Sequence, residues 1–343
     1  MSAVRLLASG LAAETLARLA PPACPAIERL PAWEADGPRG LRLVLPLAPE
    51  FLAGADRVIP SLSCTAPGDH AFRFALRLRT RDGATTPWVR LTRIGRPPAQ
   101  DAGTEPADAP GPDAPIGTDV DTFRLRVAAA DGDLEVRVAT ADPGAFRRAP
   151  CLLALSAAGP PAAPPPPAGL ADVPALPVPA LTQMAEAEAI RMRVCSPASV
   201  AMVLGALGAR ADTAAVAAAA WCAEHDRYGV WPANVWAASR WGALGGVVVI
   251  GSWECARALL ARGIPLVISE AHGPGELPGS PLPGTDGHLL VLRGLRAGRA
   301  LVNDPAAPAT ADVAREYGIA ELGRAWLGHG GIAYAFVLPE GRS

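Results

Sequence analysis

The segment from Gly159 to Ala180, GPPAAPPPPAGLADVPALPVPA, constrains the chain more than any other. Proline at this density removes amide donors and fixes φ, so neither a helix nor a central strand can run through it. It is expected to be an extended, semi-rigid linker over 159–180 that divides the 343 residues into two halves. Half of the residues are hydrophobic, enough for a core on each side. With 31 basic and 33 acidic side chains the net charge is −2. That leaves no cationic excess to neutralise phosphates, so no nucleic-acid partner is expected. No run of about 18 apolar residues occurs, and no membrane span is expected. Arg5, Glu14, Arg18, Glu28 and Arg29 interrupt the first thirty residues, which read poorly as a signal peptide; the expectation is a cytoplasmic protein. The six cysteines are scattered without a CxxC pair or a Cys/His cluster. Neither a metal site, nor a disulfide framework, nor a cofactor is expected.

The two halves differ in pattern. Before the linker, short runs alternate apolar and polar residues: Ala71 to Arg79, Trp88 to Leu91, Thr122 to Val127 and Leu134 to Val138, with turn signals at Asp82-Gly83 and Asp131-Gly132. Cys151 to Leu155 reads as a buried strand. This predicts an antiparallel β-sandwich over 41–158, preceded by a lead-in over 1–40 with one short helix around Ala12 to Leu19. Arg96 to Gly117, rich in Pro, Asp, Ala and Gly, is expected to be a disordered loop. After the linker, 181–343 turns helical. Ser196-Pro197 reads as an N-cap and first helical residue, with Gly208 as the stop. Further helices are expected from Asp212 to Cys222, Pro232 to Trp241 and after Ser252. Strands follow at Gly246 to Ile250, Pro265 to Glu270, His288 to Leu295, Ala300 to Asp304 and Ile332 to Leu338. Helices first and antiparallel strands later predict an α+β fold.

Cys195 stands at the start of the first of these helices, where a helix N-terminus lowers a thiol pKa. A thiolate nucleophile needs an imidazole partner and an oxyanion site. His288 opens one strand and Asp304 closes the next. A two-residue Ala297-Gly298 loop would pair Asp304 with Val291 and send His288 and Asp304 to opposite faces. A three-residue loop with Gly298 left-handed would pair Asp304 with Leu290 instead. His288 would then be its diagonal neighbour at roughly 7–8 Å between Cα atoms. Gln183, a dozen residues before the cysteine, has an amide able to share an oxyanion with the Cys195 N–H.

Gln183, the run Cys195 to Ser199, Gly287 to Val291, Val302 to Ala307 and Tyr228 to Asn234 together resemble the C39-like peptidases of the papain-like cysteine-peptidase superfamily. The resemblance spans Gln183 to about Leu338. It implies Cys195 as nucleophile, His288 as general base and acid, Asp304 as orienter and Gln183 as oxyanion donor. It implies a papain-like domain, with the N-terminal half similar to an accessory domain found before such peptidase domains in some bacterial proteins. Many relatives are exported. Ser196 replaces the glycine usual in bacteriocin-exporter C39 domains, and no transporter segment or P-loop is found, so a leader-cleaving exporter is not expected.

Other candidates compete for these roles. His272, in Glu270-Ala271-His272-Gly273, is a rival base, and Asn303 a rival orienter on the opposite strand face from Asp304. Trp231, Asn234 and Ser196 are candidate substrate-binding residues, although Trp231 and Asn234 suit a helix start equally well. The expected function is hydrolysis of an amide or peptide bond. Acyl transfer through the same thiol, or a non-catalytic binding protein on a peptidase fold, are the alternatives.

Overall fold

The computed structural model describes residues 2–22, 27–99, 107–165, 167 and 169–339. Cys24 and the middle of the Arg96 to Gly117 segment lie outside the described residues. The first half runs β1 (Ser2–Ser9), α1 (Ala13–Leu19), β2 (Ile27–Arg29), β3 (Glu34–Ala35), β4 (Gly40–Leu47), α2 (Pro49–Leu52), β5 (Arg57–Cys64), β6 (His70–Thr80), β7 (Val89–Arg90), β8 (Ile94–Gly95), β9 (Ile116–Asp119), β10 (Thr122–Leu125), β11 (Ala129–Thr140), α3 (Pro143–Arg148) and β12 (Cys151–Ala158). These strands make two six-stranded sheets, one ordered β2-β1-β12-β5-β10-β9 and one β3-β4-β11-β6-β7 with β8 also on β6. One part of the sequence reading changes. Residues 2–9 are not lead-in: β1 pairs with β12 along its whole length, because Val4, Leu6 and Leu7 need burial. Cys64 and Cys151, far apart in the sequence, are cross-strand neighbours on β5 and β12, both as free thiols.

The second half runs α4 (Cys195–Ala206), α5 (Thr213–Ala220), α6 (Trp231–Ser239), β13 (Leu244–Val249), α7 (Trp253–Ala261), β14 (Leu266–His272), β15 (Thr285–Arg296), β16 (Arg299–Asn303), β17 (Ala314–Gly318), α8 (Ile319–Trp326) and β18 (Ile332–Val337). Its strands form a third sheet ordered β13-β18-β14-β15-β16-β17. Asp212 and Ser252 cap α5 and α7 by accepting from Ala215 and Cys255 N–H. Gly208 ends α4 with φ +85°, which a side chain would resist. No helix among the described residues is long and apolar enough to cross a membrane.

The halves are packed together more closely than a linker implies. Every residue of β5 and β12 is buried, as expected of strands covered on both faces. One face joins the core shared with the second sheet, and the other meets β13. β13 pairs only with β18, so its outer backbone edge needs partners. Three serines of the first sheet supply them. Ser63 Oγ both donates to Gly245 O (2.9 Å) and accepts from Gly245 N (3.0 Å); Ser61 Oγ accepts from Val247 N (2.8 Å); Ser156 Oγ accepts from Val249 N (3.1 Å). Gly246 permits this approach, since a Cβ there would lie 2.3 Å from that of Ala154. The described part of the proline segment from Val173 to Pro179 is docked on the second half. Val173 bridges Leu295, Leu176 N donates to Arg293 O (2.7 Å), and Asn303 Nδ2 donates to the carbonyls of Val178 and Pro179 (both 3.1 Å).

A buried histidine also joins the halves. His70 Nε2 accepts from Trp236 Nε1 at 3.0 Å, and His70 is only 1% exposed. Burial, helped by Arg240, pushes its pKa down from 6.5 to about 4. The fold therefore holds it neutral, and the unfolded chain binds the extra proton. Stability is expected to be full above about pH 6.5 and to fall by about 3 kcal/mol as the pH drops to 4. His70→Gln, which keeps an acceptor and removes the titration, should flatten that part of a denaturant-unfolding series. An unchanged slope would show that His70 does not set it.

Candidate active site

Helix α4 begins at Cys195 itself. Ser196 is not its cap: Val194 holds that position without a side-chain bond, and Pro197 falls inside the first turn, where its missing N–H costs nothing. The Cys195 sulfur thus sits at the positive end of a twelve-residue helix. Ser196 is fully buried, with Oγ 3.2 Å from Tyr334 Oη, and fastens α4 to β18 rather than facing a substrate. Ser199 Oγ, one turn on, donates to Leu289 O (3.1 Å), so the helix start is tied to the strand that carries the histidine.

The β15–β16 hairpin solves the register problem by another route. Its loop is the short Ala297-Gly298, with both residues left-handed (φ +47° and +74°). Arg296 pairs with Arg299, which by itself would set Asp304 against Val291. A bulge between Leu292 and Gly294 then shifts the ladder by one, so that Asn303 opposes Val291 and the next position, Asp304, falls opposite Leu290. The carbonyl of the extra residue, Arg293, is the one that accepts from Leu176 in the proline segment. His288 and Asp304 consequently share a face. His288 Nε2 donates to Asp304 Oδ1 at 2.8 Å, with both side chains almost wholly buried. Asp304 Oδ1 also accepts from Ala306 N (2.9 Å), and Tyr317 Oη donates to Oδ2 (2.7 Å). His288 interacts with the Cys195 thiol as well, and with Nε2 held by Asp304 the ring presents Nδ1 to the sulfur.

Burial opposes charge on all three groups, and their neighbours outweigh it. For Cys195 the imidazole, then the N–H groups of Leu289 and Ser196, hold the thiol below its ordinary range. For His288 the Asp304 carboxylate and then the thiolate raise the imidazole well above its ordinary value. For Asp304 the imidazolium, the Tyr317 hydroxyl and the Ala306 N–H keep the carboxyl low. Along the row each shift favours the charged form of its group, and each group's main support is its neighbour.

Residues 175–334 match the model of the Peptidase_C39 like family. That stretch, most of the chain after the proline segment, is similar to the C39-like peptidases. A crystal structure assigned as a C39-like peptidase from Bacillus anthracis is similar at 18% identity and a TM-score of 0.38, covering 49% of this chain and 98% of that one. No curated protein matches.

The other expected residues divide. Gln183 is 3% exposed; its N–H donates to Pro305 O (2.9 Å) and its Nε2 to Arg191 O (2.7 Å), which leaves one amide hydrogen uncommitted by these bonds. Asn303, the rival orienter, is committed to the proline segment. His272, the rival base, sets Nδ1 against Gly273 O (3.0 Å) and Nε2 at 3.9 Å from Glu270. Asn234 is fully buried and donates to the carbonyls of Tyr228 and Val230, so it shapes the loop before α6. Trp231 is half-buried, and its N–H donates to Asp121 Oδ2 (2.8 Å) from the other half of the chain. Among the described residues the exposed large hydrophobics are instead Met192 and Trp221, at 62% and 36%. Arg193 lies over Trp221 and Tyr228, 5.7 and 5.5 Å from the ring centroids. The sequence reading also missed Tyr317, whose role depends on a strand it did not assign.

Iodoacetamide should label Cys195 at pH 6 at least about tenfold faster than Cys222, whose thiol burial pushes up, and His288→Ala should abolish the difference. Peptide mass spectrometry reads the sites. Equal labelling of Cys195 and Cys222 at pH 6 would contradict the charge assignment.

Proposed function

We propose that the protein is a cysteine hydrolase that cleaves an amide or peptide bond through Cys195, His288 and Asp304, with Gln183 and the Cys195 N–H receiving the oxyanion. The observation that carries this reading is Cys195, a half-buried residue at the start of α4, engaged with an imidazole that a buried carboxylate fixes. A binding scaffold has no need of a thiol held below its usual pKa by an imidazole–carboxylate pair, and the cost of burying such a pair argues against it.

In this reading the Cys195 thiolate attacks the carbonyl carbon. Negative charge moves to the carbonyl oxygen, where the two N–H donors meet it. His288 passes its proton to the leaving nitrogen, the C–N bond breaks, and an acyl-thioester remains on Cys195. His288 then takes a proton from water, the hydroxide attacks the thioester, and the carboxylic acid departs with the thiolate restored. Asp304 keeps Nε2 protonated throughout, so that Nδ1 always faces the sulfur. Residues 181–343 are the catalytic domain, 41–158 a β-sandwich-like accessory domain, and Met192, Trp221 and Tyr228 a surface suited to apolar parts of a peptide.

A peptide library incubated with the protein and read for new amino termini tests this. Cleavage should vanish in Cys195→Ala, and Gln183→Ala should lower the rate about 10²-fold while Cys195 still alkylates normally. Cleavage that survives Cys195→Ala, or the absence of any Cys195-dependent product, would overturn the reading.

A further inference from the structure

Beside the catalytic row lies a second buried carboxyl that the mechanism above does not use. Glu270 of β14 pairs directly with His288 of β15, and directly paired residues project from the same face of a sheet. Glu270 is 0% exposed, and neither of its carboxyl oxygens has a hydrogen-bond partner. Asp304 reaches His288 from the β16 side, and β14 is the strand on the other side. His288 therefore stands between two carboxyls, one fully bonded and one with none.

The groups around Glu270 are few. On its own strand, His272 Nε2 is 3.9 Å from Oε1 and has no hydrogen-bond partner. β15 contributes His288, the end of β16 Asp304, and β17 Tyr317, which donates to Asp304. Helix α4 contributes Cys195, already engaged with His288. β18 contributes Tyr334, which bonds Ser196. Helix α8 turns Ile319, Leu322, Ala325 and Trp326 inward, while its Glu321 and Arg324 face each other at 3.6 Å. The positive charge available to Glu270 thus comes from the two imidazoles. A carboxylate buried without donors is costly, and it avoids that cost by keeping its proton unless a cation is close. Burial accordingly pushes the Glu270 pKa up to about 7, with His288 and His272 drawing it down and Asp304 raising it.

We propose that Glu270 is a positioning residue that couples the charge of His288 to a second proton, so that the Cys195–His288 ion pair persists to higher pH when Glu270 is ionised than when Asp304 acts alone. The inference rests on the reading of Cys195 and His288 as nucleophile and base. The sign follows from charge. A second anion beside the imidazolium stabilises it, so removing that anion must bring imidazolium deprotonation to lower pH. A glutamate with a merely structural role would change stability and leave this pH unmoved.

Iodoacetate separates the outcomes, because its own negative charge makes its reaction with the Cys195 thiolate slow down when the neighbouring imidazolium loses its proton. The rate should rise on the acid side, pass a plateau and fall on the alkaline side. In Glu270→Gln the alkaline fall should come about one pH unit earlier, with the acid limb little changed. Glu270→Asp, which keeps a carboxyl, should recover part of the shift, and His272→Gln should leave the fall where it is in the native protein. In the native protein alone, the His288 ring signal in NMR should show a secondary inflection near pH 7 that Glu270→Gln removes. An alkaline limb unmoved in Glu270→Gln, or an inflection that disappears with His272→Gln and survives Glu270→Gln, would overturn the role of Glu270 while leaving the nucleophile assignment intact. A native protein with no thiolate plateau would instead overturn the nucleophile assignment.

Discussion

Asp304 has no exposed surface, and a carboxylate taken out of water costs several kcal/mol unless its oxygens are matched. Much of the C-terminal half is arranged to match them. His288 and the Ala306 N–H share one oxygen and Tyr317 takes the other. The bulge in β15 brings Asp304 into register with His288, and the carbonyl it frees is taken by the proline segment. The turn after Asp304 is held in place by the segment before α4, through Gln183 N and Thr182 Oγ1 on the carbonyl of Pro305. The imidazole so fixed is the group that draws the Cys195 thiol below its ordinary range. Removing the carboxylate would take away the largest support for charge on that imidazole.

The same economy of polar groups joins the two halves. β13 is an edge strand whose free backbone groups are satisfied by serine hydroxyls, so it lies flush on the first sheet instead of pairing with it. That contact buries both faces of β5 and β12, and elsewhere across the halves the Asp121 carboxyl accepts from Trp231 N at the start of α6. The N-terminal half thereby backs the elements that flank Cys195. The proline segment, rather than spacing two bodies apart, runs as a strap along β15 and β16.

Much of this was legible in the chain and some was not. Cys195, His288 and Asp304 could be picked out because each stands close to a Gly or Pro near an element end, although β15 in fact begins three residues before His288, and the face-sharing argument named the shift of one residue that the hairpin required. The source of the shift was not readable: a bulge at Arg293 has no local signature, since its partner is Leu176, more than a hundred residues away. Ser196 carried a cap signature, but burial against Tyr334 overrode it. β17 and α8 were unassigned, which hid Tyr317. Glu270 was noticed only as a neighbour of His272, because its importance comes from cross-strand pairing and burial, which composition does not reveal.

The central claim is that Cys195 is a thiolate held by an imidazolium at and below neutral pH. The most direct measurement is the absorbance at 240 nm of the native protein minus that of Cys195→Ser, followed from pH 4 to 9. The account predicts one thiolate already present at pH 6, bleaching only in acid, with Asp304→Asn delaying its appearance. A signal that emerges only near pH 8.5, as for an ordinary thiol, would contradict it.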